Sequence, residues 1–207
     1  MRRFAAVVCL LLASLLASCA EDATAEVGVD GDVSGVAGSD VDYAGEGLSE
    51  VDYALIAAAA EGDEAMVRRV LEAGANVRVA TADGETALHT CGISGSAAVA
   101  RLLLEAGADV DARVTAARGL QMTPLTWFVY GLHLEGAKVL LAHKATLNLV
   151  VKDEQGNDLT ALDIASRMTE GHEFVALFRK SGGKRFEELD HVDRAAYMVG
   201  GDIGAYA

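Results

Sequence analysis

Three cysteines, five histidines and an excess of carboxylates are the residues of this 207-residue chain suited to covalent, acid–base or metal chemistry. Their spacing restricts that chemistry. The histidines at 89, 133, 143, 172 and 191 are scattered, and the chain has no H-E-x-x-H, C-x-x-C, phosphate loop or nucleophile elbow. Asp30, Asp32, Ser34 and Gly35 have the D-x-D-x-S-G spacing that gathers oxygen ligands round calcium. The twelfth position, where a bidentate glutamate closes such a loop, is Val41. A solvated acidic linker is the simpler reading, and no cofactor, metal or catalytic residue is expected. Cys91 has no basic neighbour in sequence to favour a thiolate, so it is expected in the core. A thiol with distinct chemistry is left at Cys19, at the end of an apolar run.

The elements that position these residues recur along the chain. Leu55, Leu88, Leu125 and Leu162 stand 33, 37 and 37 residues apart. A second apolar set moves with them: Met66, Val67, Val70 and Leu71; Val99, Ala100, Leu103 and Leu104; Gly136, Ala137, Leu140 and Leu141; and more weakly Glu173, Phe174, Leu177 and Phe178. From each leucine to the expected helix end (Gly74, Gly107, Lys144, Ser181) is 19 residues, so both four-residue insertions fall between helix pairs. Two markers that drift together indicate one structural unit repeated.

The unit is most legible from Asp83 to Ala112, D-G-E-T-A-L-H-T-C-G-I-S-G-S-A-A-V-A-R-L-L-L-E-A-G-A-D-V-D-A. It resembles an ankyrin repeat, with the family's G-x-T-x-L-H entry and L-L-x-x-G-A-D-V-[ND]-A ending. The resemblance implies an all-α solenoid of about four helix-turn-helix repeats joined by short β-hairpins, over 49–79, 80–113, 114–150 and 151–185. Thr86 and His89 are then local turn residues, and Gly74 and Gly107 left-handed helix ends. Lys144 at the third such end implies strain or a different cap. Phe128, replacing a small residue, implies a repacked core. Residues 186–207 are expected to form a C-terminal cap and tail, with Phe186 to Met198 suited to a helix.

Arg2, Arg3 and the uncharged run Ala5 to Leu16 read as a targeting segment over 1–18, too short to remain as a spanning helix. Leu16-Ala17-Ser18-Cys19 resembles the bacterial lipobox, which implies cleavage before Cys19 and lipidation of its thiol; ordinary cleavage after Ala20 is the alternative. Residues 19–48 are expected to be an acidic flexible tether, since no basic residue occurs between Arg3 and Arg68. Such a segment has a coil dimension of about 30 Å and an extended reach of about 100 Å. The recurrence of V-D-Y-A at 41–44 and 51–54 has no explanation at this level. A membrane attachment of this type implies the bacterial cell envelope, and Ala20 after the cysteine leans towards the outer membrane.

Most members of the resembled family bind proteins through the concave face, so a non-catalytic binding module is the leading expectation. An enzyme and a calcium-sensitive surface component are the other classes weighed. The resemblance maps Ile93, Ser94, Tyr130, Gly131, Arg167 and Met168 onto the groove, with Leu120, Met122 and Trp127 beside them and Asp83 and Glu85 at the rim. Net charge is −14, and −16 without residues 1–18. Nucleic acid is therefore an unsuitable ligand, and an unidentified protein with a basic or apolar surface a suitable one.

Overall fold

Ser49 opens the first helix: its hydroxyl accepts the Asp52 N–H at 3.2 Å and donates to the Asp52 carboxylate at 2.6 Å. Helix α1 (Glu50–Glu61) stops at Gly62, whose φ of +77° no Cβ opposes. Asp63 then caps α2 (Glu64–Glu72) by accepting the Met66 N–H. Val67 and Val70 bury one face of α2, while Arg68 and Arg69 stay in water. The pattern returns as α3 (Ala87–Ser94) with α4 (Ala97–Glu105), α5 (Pro124–Tyr130) with α6 (Leu134–Ala142), and α7 (Ala161–Arg167) with α8 (His172–Lys180). These elements belong to a computed structural model that describes residues 48–114, 121–153 and 155–197. Contacts divide the chain after Asp42, and every described residue lies in the second unit.

Helices α3, α5 and α7 start alike. Thr86, Thr123 and Thr160 are extended N-caps, each forming a capping box with the residue three later, His89, Thr126 or Asp163. Pro124 occupies the first position of α5, where an N–H has no helical partner to lose. Ahead of each start the chain folds back on itself. Ala80 bridges Thr86, the Val114 N–H donates to the Met122 carbonyl, and β1 (Val151–Lys152) pairs antiparallel with β2 (Asp158–Leu159).

The first helices stack in the order α1, α3, α5, α7, and the second helices stack from α2 through α4 to α6. The four spaced leucines lie at the centre of the stack, none more than 2% exposed. Burial of each contributes roughly 1.5–3 kcal/mol, so the repeat interfaces hold the array together. In repeat three the side chain that fills the interface is Phe128, fully buried. A Cβ on Gly136 would stand 2.0 Å from its ring, so the bulk at 128 is matched by the absence of bulk at 136.

Each second helix ends in the same motif. Gly74, Gly107, Lys144 and Gly182 have φ of +93°, +94°, +67° and +86°. In repeats one to four the following N–H (Ala75, Ala108, Ala145, Gly183) donates to the carbonyl of Val70, Leu103, Leu140 or Phe178. Lys144 is thus capped like the glycines and carries the strain of a left-handed side chain. The fourth position is Gly182, not the expected Ser181. The turn over Met168–Gly171 is one residue longer than its counterparts, which moves α8 and its buried pair, Phe174 and Phe178, one residue later.

Beyond α8 the expected single helix is two pieces. A 3₁₀ turn (Phe186–Glu188) precedes buried Leu189 and α9 (His191–Tyr197). Arg179 grips Glu188 with both guanidinium nitrogens, Lys184 pairs with Asp193, and Arg194 lies over the Phe186 ring at 4.6 Å.

The helix ends give paired expectations. A Cβ on Gly107 would stand in open space, so Gly107→Val adds only backbone strain, of about 1–3 kcal/mol. Lys144→Gly removes a left-handed penalty of about 1–2 kcal/mol and adds back about 0.5–1 kcal/mol of chain entropy. Thermal melts should fall by several degrees for the first and stay level or rise by a few for the second.

Candidate functional site

Five residues beyond each spaced leucine, the first helices carry Ala60, Ile93, Tyr130 and Arg167. All four keep accessible surface, while the leucines one turn earlier have almost none. Ile93 and Tyr130 are half-buried neighbours from adjacent repeats, and Arg167 is exposed. Met168, expected in the same groove, is half-buried against the core at the start of the lengthened turn.

The other expected surface residues have different surroundings. Met122 is only 8% exposed: its backbone pairs with Val114, and its side chain turns inward, so it adds nothing to a binding face. Ser94 is half-buried, and its hydroxyl donates to the Ala59 carbonyl of the preceding repeat at 3.1 Å, which makes it a joint between repeats. Trp127 stands edge-on to His89, ring centres 6.0 Å apart, and a Cβ on Gly92 would lie 2.8 Å from its own Cβ. Its indole N–H is buried without a partner. Trp127 therefore serves chiefly as packing between repeats two and three. Leu120 and Cys19 lie outside the described residues. At the rim, Asp83 is exposed and Glu85 half-buried beside the left-handed turn at Gly84.

His133 has a role the sequence did not signal. Its counterparts Asp63 and Ser96 cap their helices, whereas His133 makes no cap. Its ring packs where Cβ atoms on Gly95 and Gly131 would stand, and Nε2 donates to the Ile93 carbonyl at 3.1 Å. Gly131 is thereby committed to clearing this ring. Leu132, not glycine, then takes the turn position with φ of +60° that Gly62 and Gly95 hold elsewhere.

His89 is fully buried, and its Nδ1 accepts the Thr86 N–H at 3.2 Å, which leaves the proton on Nε2. Nε2 faces the Met122 and Ala112 carbonyls without a hydrogen bond of full geometry. Burial pushes its pKa down to about 4, outweighing those carbonyls and Asp109, which favour the charged ring. Burial likewise pushes the Cys91 thiol up to about 12, and its sulfur donates to the Ser96 carbonyl. Neither is poised for catalysis near neutral pH. Among the described residues, no group of three or more His, Cys, Asp or Glu could hold a metal ion, and no helix is long and apolar enough to cross a membrane.

The depressed His89 gives a pH signature. Between its unfolded value near 6.5 and its folded value near 4, the unfolded chain binds the extra proton. Stability from this group is thus full above about pH 6.5 and falls as pH drops towards 4, by about 1–3 kcal/mol. Melts of wild type and His89→Asn from pH 7 to 4.5 should differ in slope, the variant being flatter. Parallel slopes would assign the acid sensitivity to other groups.

No curated protein matches the chain. A family model for ankyrin repeats, in three copies, matches residues 36–114. The match starts within the stretch read as tether. There Ala37-Gly38-Ser39-Asp40-Val41-Asp42 repeats the repeat-two ending Ala106-Gly107-Ala108-Asp109-Val110-Asp111, which accounts for the first V-D-Y-A as a repeat-end signature. Residues beyond the match continue the same caps, buried leucines and left-handed helix ends through repeats three and four. The chain carries ankyrin repeats.

Proposed function

We propose that this protein is a non-catalytic binding module, lipid-anchored at Cys19 in a bacterial cell envelope, that holds a protein partner against the first-helix row of its repeats. The observation that carries the binding reading is the accessible row Ala60, Ile93, Tyr130 and Arg167 beside otherwise sealed repeat interfaces. In ankyrin repeats this position faces the concave groove. An apolar and an aromatic side chain in adjacent repeats give the centre of such a groove its anchors, which commonly contribute about 2 kcal/mol or more each. The acidic balance of the chain favours a partner with basic or apolar surface and disfavours nucleic acid.

The anchor rests on the lipobox-like Leu16-Ala17-Ser18-Cys19 and the spacer-like acidic stretch after it. Several acyl chains on one residue hold a protein on a bilayer where a single chain does so only marginally. The outer membrane is the favoured location, from Ala20 after the cysteine.

Two measurements test the two halves. Ile93→Ala with Tyr130→Ala should abolish recovery of the partner from envelope extract while the melt retains one cooperative transition. Retained capture would remove the groove reading, and a collapsed melt would place these residues in the core. Cys19→Ala should shift the protein from the membrane pellet to the soluble fraction or leave an unprocessed precursor. A wild-type protein that is soluble with an unmodified terminus at Glu21 would remove the anchor.

A further inference from the structure

The first-helix row ends at Arg167, and beside it lies a cleft of about 320 Å³ between β2, α7 and residues 185–187. Leu159 and Phe186 give it apolar walls, and Arg167 and Arg185 line it. Among the described residues, neither guanidinium is in hydrogen-bonding contact with a carboxylate. The nearest ion-pair contact of Arg167 is Asp153 at 3.6 Å, and that of Arg185 is Glu187 at 3.9 Å. Asp153 is occupied otherwise, accepting from the Gln155 and Asn157 N–H groups and the Asn157 amide.

Three carboxylates line the cleft: Glu187 stands 3.9 Å from Arg185, and the other two are hydrogen-bonded. Asp158 pairs with Lys152 at 2.9 Å. Asp163 Oδ2 accepts the Thr160 N–H at 2.9 Å, the Thr160 hydroxyl at 3.0 Å and the Phe186 N–H at 2.8 Å. The donors left to act on a ligand are therefore the two guanidinium forks, whose planar geometry matches a carboxylate bidentately. Asp158, Asp163 and Glu187 still set the charge limit: they oppose a dianion more than a monoanion, which favours a carboxylate over a phosphate.

We infer that this cleft binds a carboxylate carried by a peptide, with Arg167 and Arg185 as its donors and Leu159 and Phe186 against the adjoining side chain. The inference rests on the reading of the first-helix row as a peptide-binding groove, and names what one end of that groove takes. The volume is at the lower end of ligand-pocket sizes and suits a single residue. Stacked repeats lie about 10 Å apart, the length of about three extended residues. A segment seated by its carboxylate here would lay a side chain on Tyr130 about three residues upstream and another on Ile93 about three further. The carboxylate is either a chain terminus or an acidic side chain.

Amide spectra of the full chain, titrated with N-acetyl-leucine, N-acetyl-leucinamide, the α-amide of N-acetyl-glutamic acid, or inorganic phosphate, test this. The expected result is saturable, millimolar-range shifts at Leu159, Ser166 and the Arg167 and Arg185 side chains with a carboxylate probe, absent with N-acetyl-leucinamide. Which acid binds more tightly identifies terminus or side chain. Arg167→Gln and Arg185→Gln should each weaken the shifts about fivefold or more, with the Gly107 and Lys144 signals unmoved as a check on fold. Equal shifts from acid and amide, tighter binding of phosphate, or indifference to both substitutions would overturn the inference. Such a failure would leave the partner-capture result at Ile93 and Tyr130 standing, because that assay reads different repeats.

Discussion

Each repeat is tied to the next by a side chain four residues past the left-handed end of its second helix. From Gly74 this residue is Arg78, from Gly107 it is Asp111, and from Lys144 it is Asn148. Arg78 donates to the Gly107 carbonyl, Asp111 accepts the Thr146 N–H, and Asn148 does both, to the Gly182 carbonyl and from the Lys184 N–H. The target is always the next left-handed residue or the one two beyond it. Left-handed geometry is what presents these backbone groups outward, so the clamp depends on the helix ends and the register of the stack depends on the clamp. At the start of the described array, Asp52 supplies the same bond from within repeat one, accepting the Asn76 N–H at 2.6 Å. The first described repeat thus satisfies internally a group that repeats three and four have satisfied across the joint.

Repeat three shows how far the unit tolerates substitution when changes are coupled. Phe128 needs Gly136 empty, and the His133 ring needs Gly95 and Gly131 empty. Committing glycine to position 131 leaves Leu132 in the left-handed turn, and Lys144 adds a second such residue at the helix end. The only two described non-glycine residues at positive φ are in this repeat. Its joint to repeat two gains in exchange a hydrogen bond from His133 to the Ile93 carbonyl and a sealed contact between Trp127 and Gly92. The half-buried Tyr130 is borne on this cross-braced helix, which leaves less side-chain and backbone entropy to lose in a contact made there.

Much of this was legible in the sequence because the markers were periodic. The spaced leucines, the threonine caps and the glycine ends depend on local chemistry, and a 33-to-37-residue count finds them. What failed was whatever depends on a distant partner or a single inserted residue. Ser181 was assigned as a helix end because a constant count was carried through the longer Met168–Gly171 turn. Met122 was assigned to the surface because its alternation within the finger cannot be phased without knowing that Val114 is its backbone partner. The clamp was invisible, since Arg, Asp and Asn share no residue type and their targets lie 29 to 36 residues away. Arg185 carries no sequence signal of a site, because its place in the cleft beside Arg167 depends on the chain's return after Gly182.

The change at the third helical position from His89 to Asp163 follows from where the array ends. In repeat two the chain beyond the Thr-His pair continues into another finger, and the imidazole faces the carbonyls of Ala112 and Met122, so a ring carrying its proton on Nε2 suits the site. Repeat four has no further finger within the described residues. The returning segment offers the Phe186 N–H instead, and a donor at position 163 would face another donor. A carboxylate resolves this, accepting from Phe186 and from the Thr160 cap on the same oxygen. That one exchange draws Arg185 and Phe186 over α7, beside Arg167. The cleft at the end of the row is therefore a consequence of capping: the residue that completes the hydrogen bonding of repeat four also brings Arg185 into the lining that Arg167 shares.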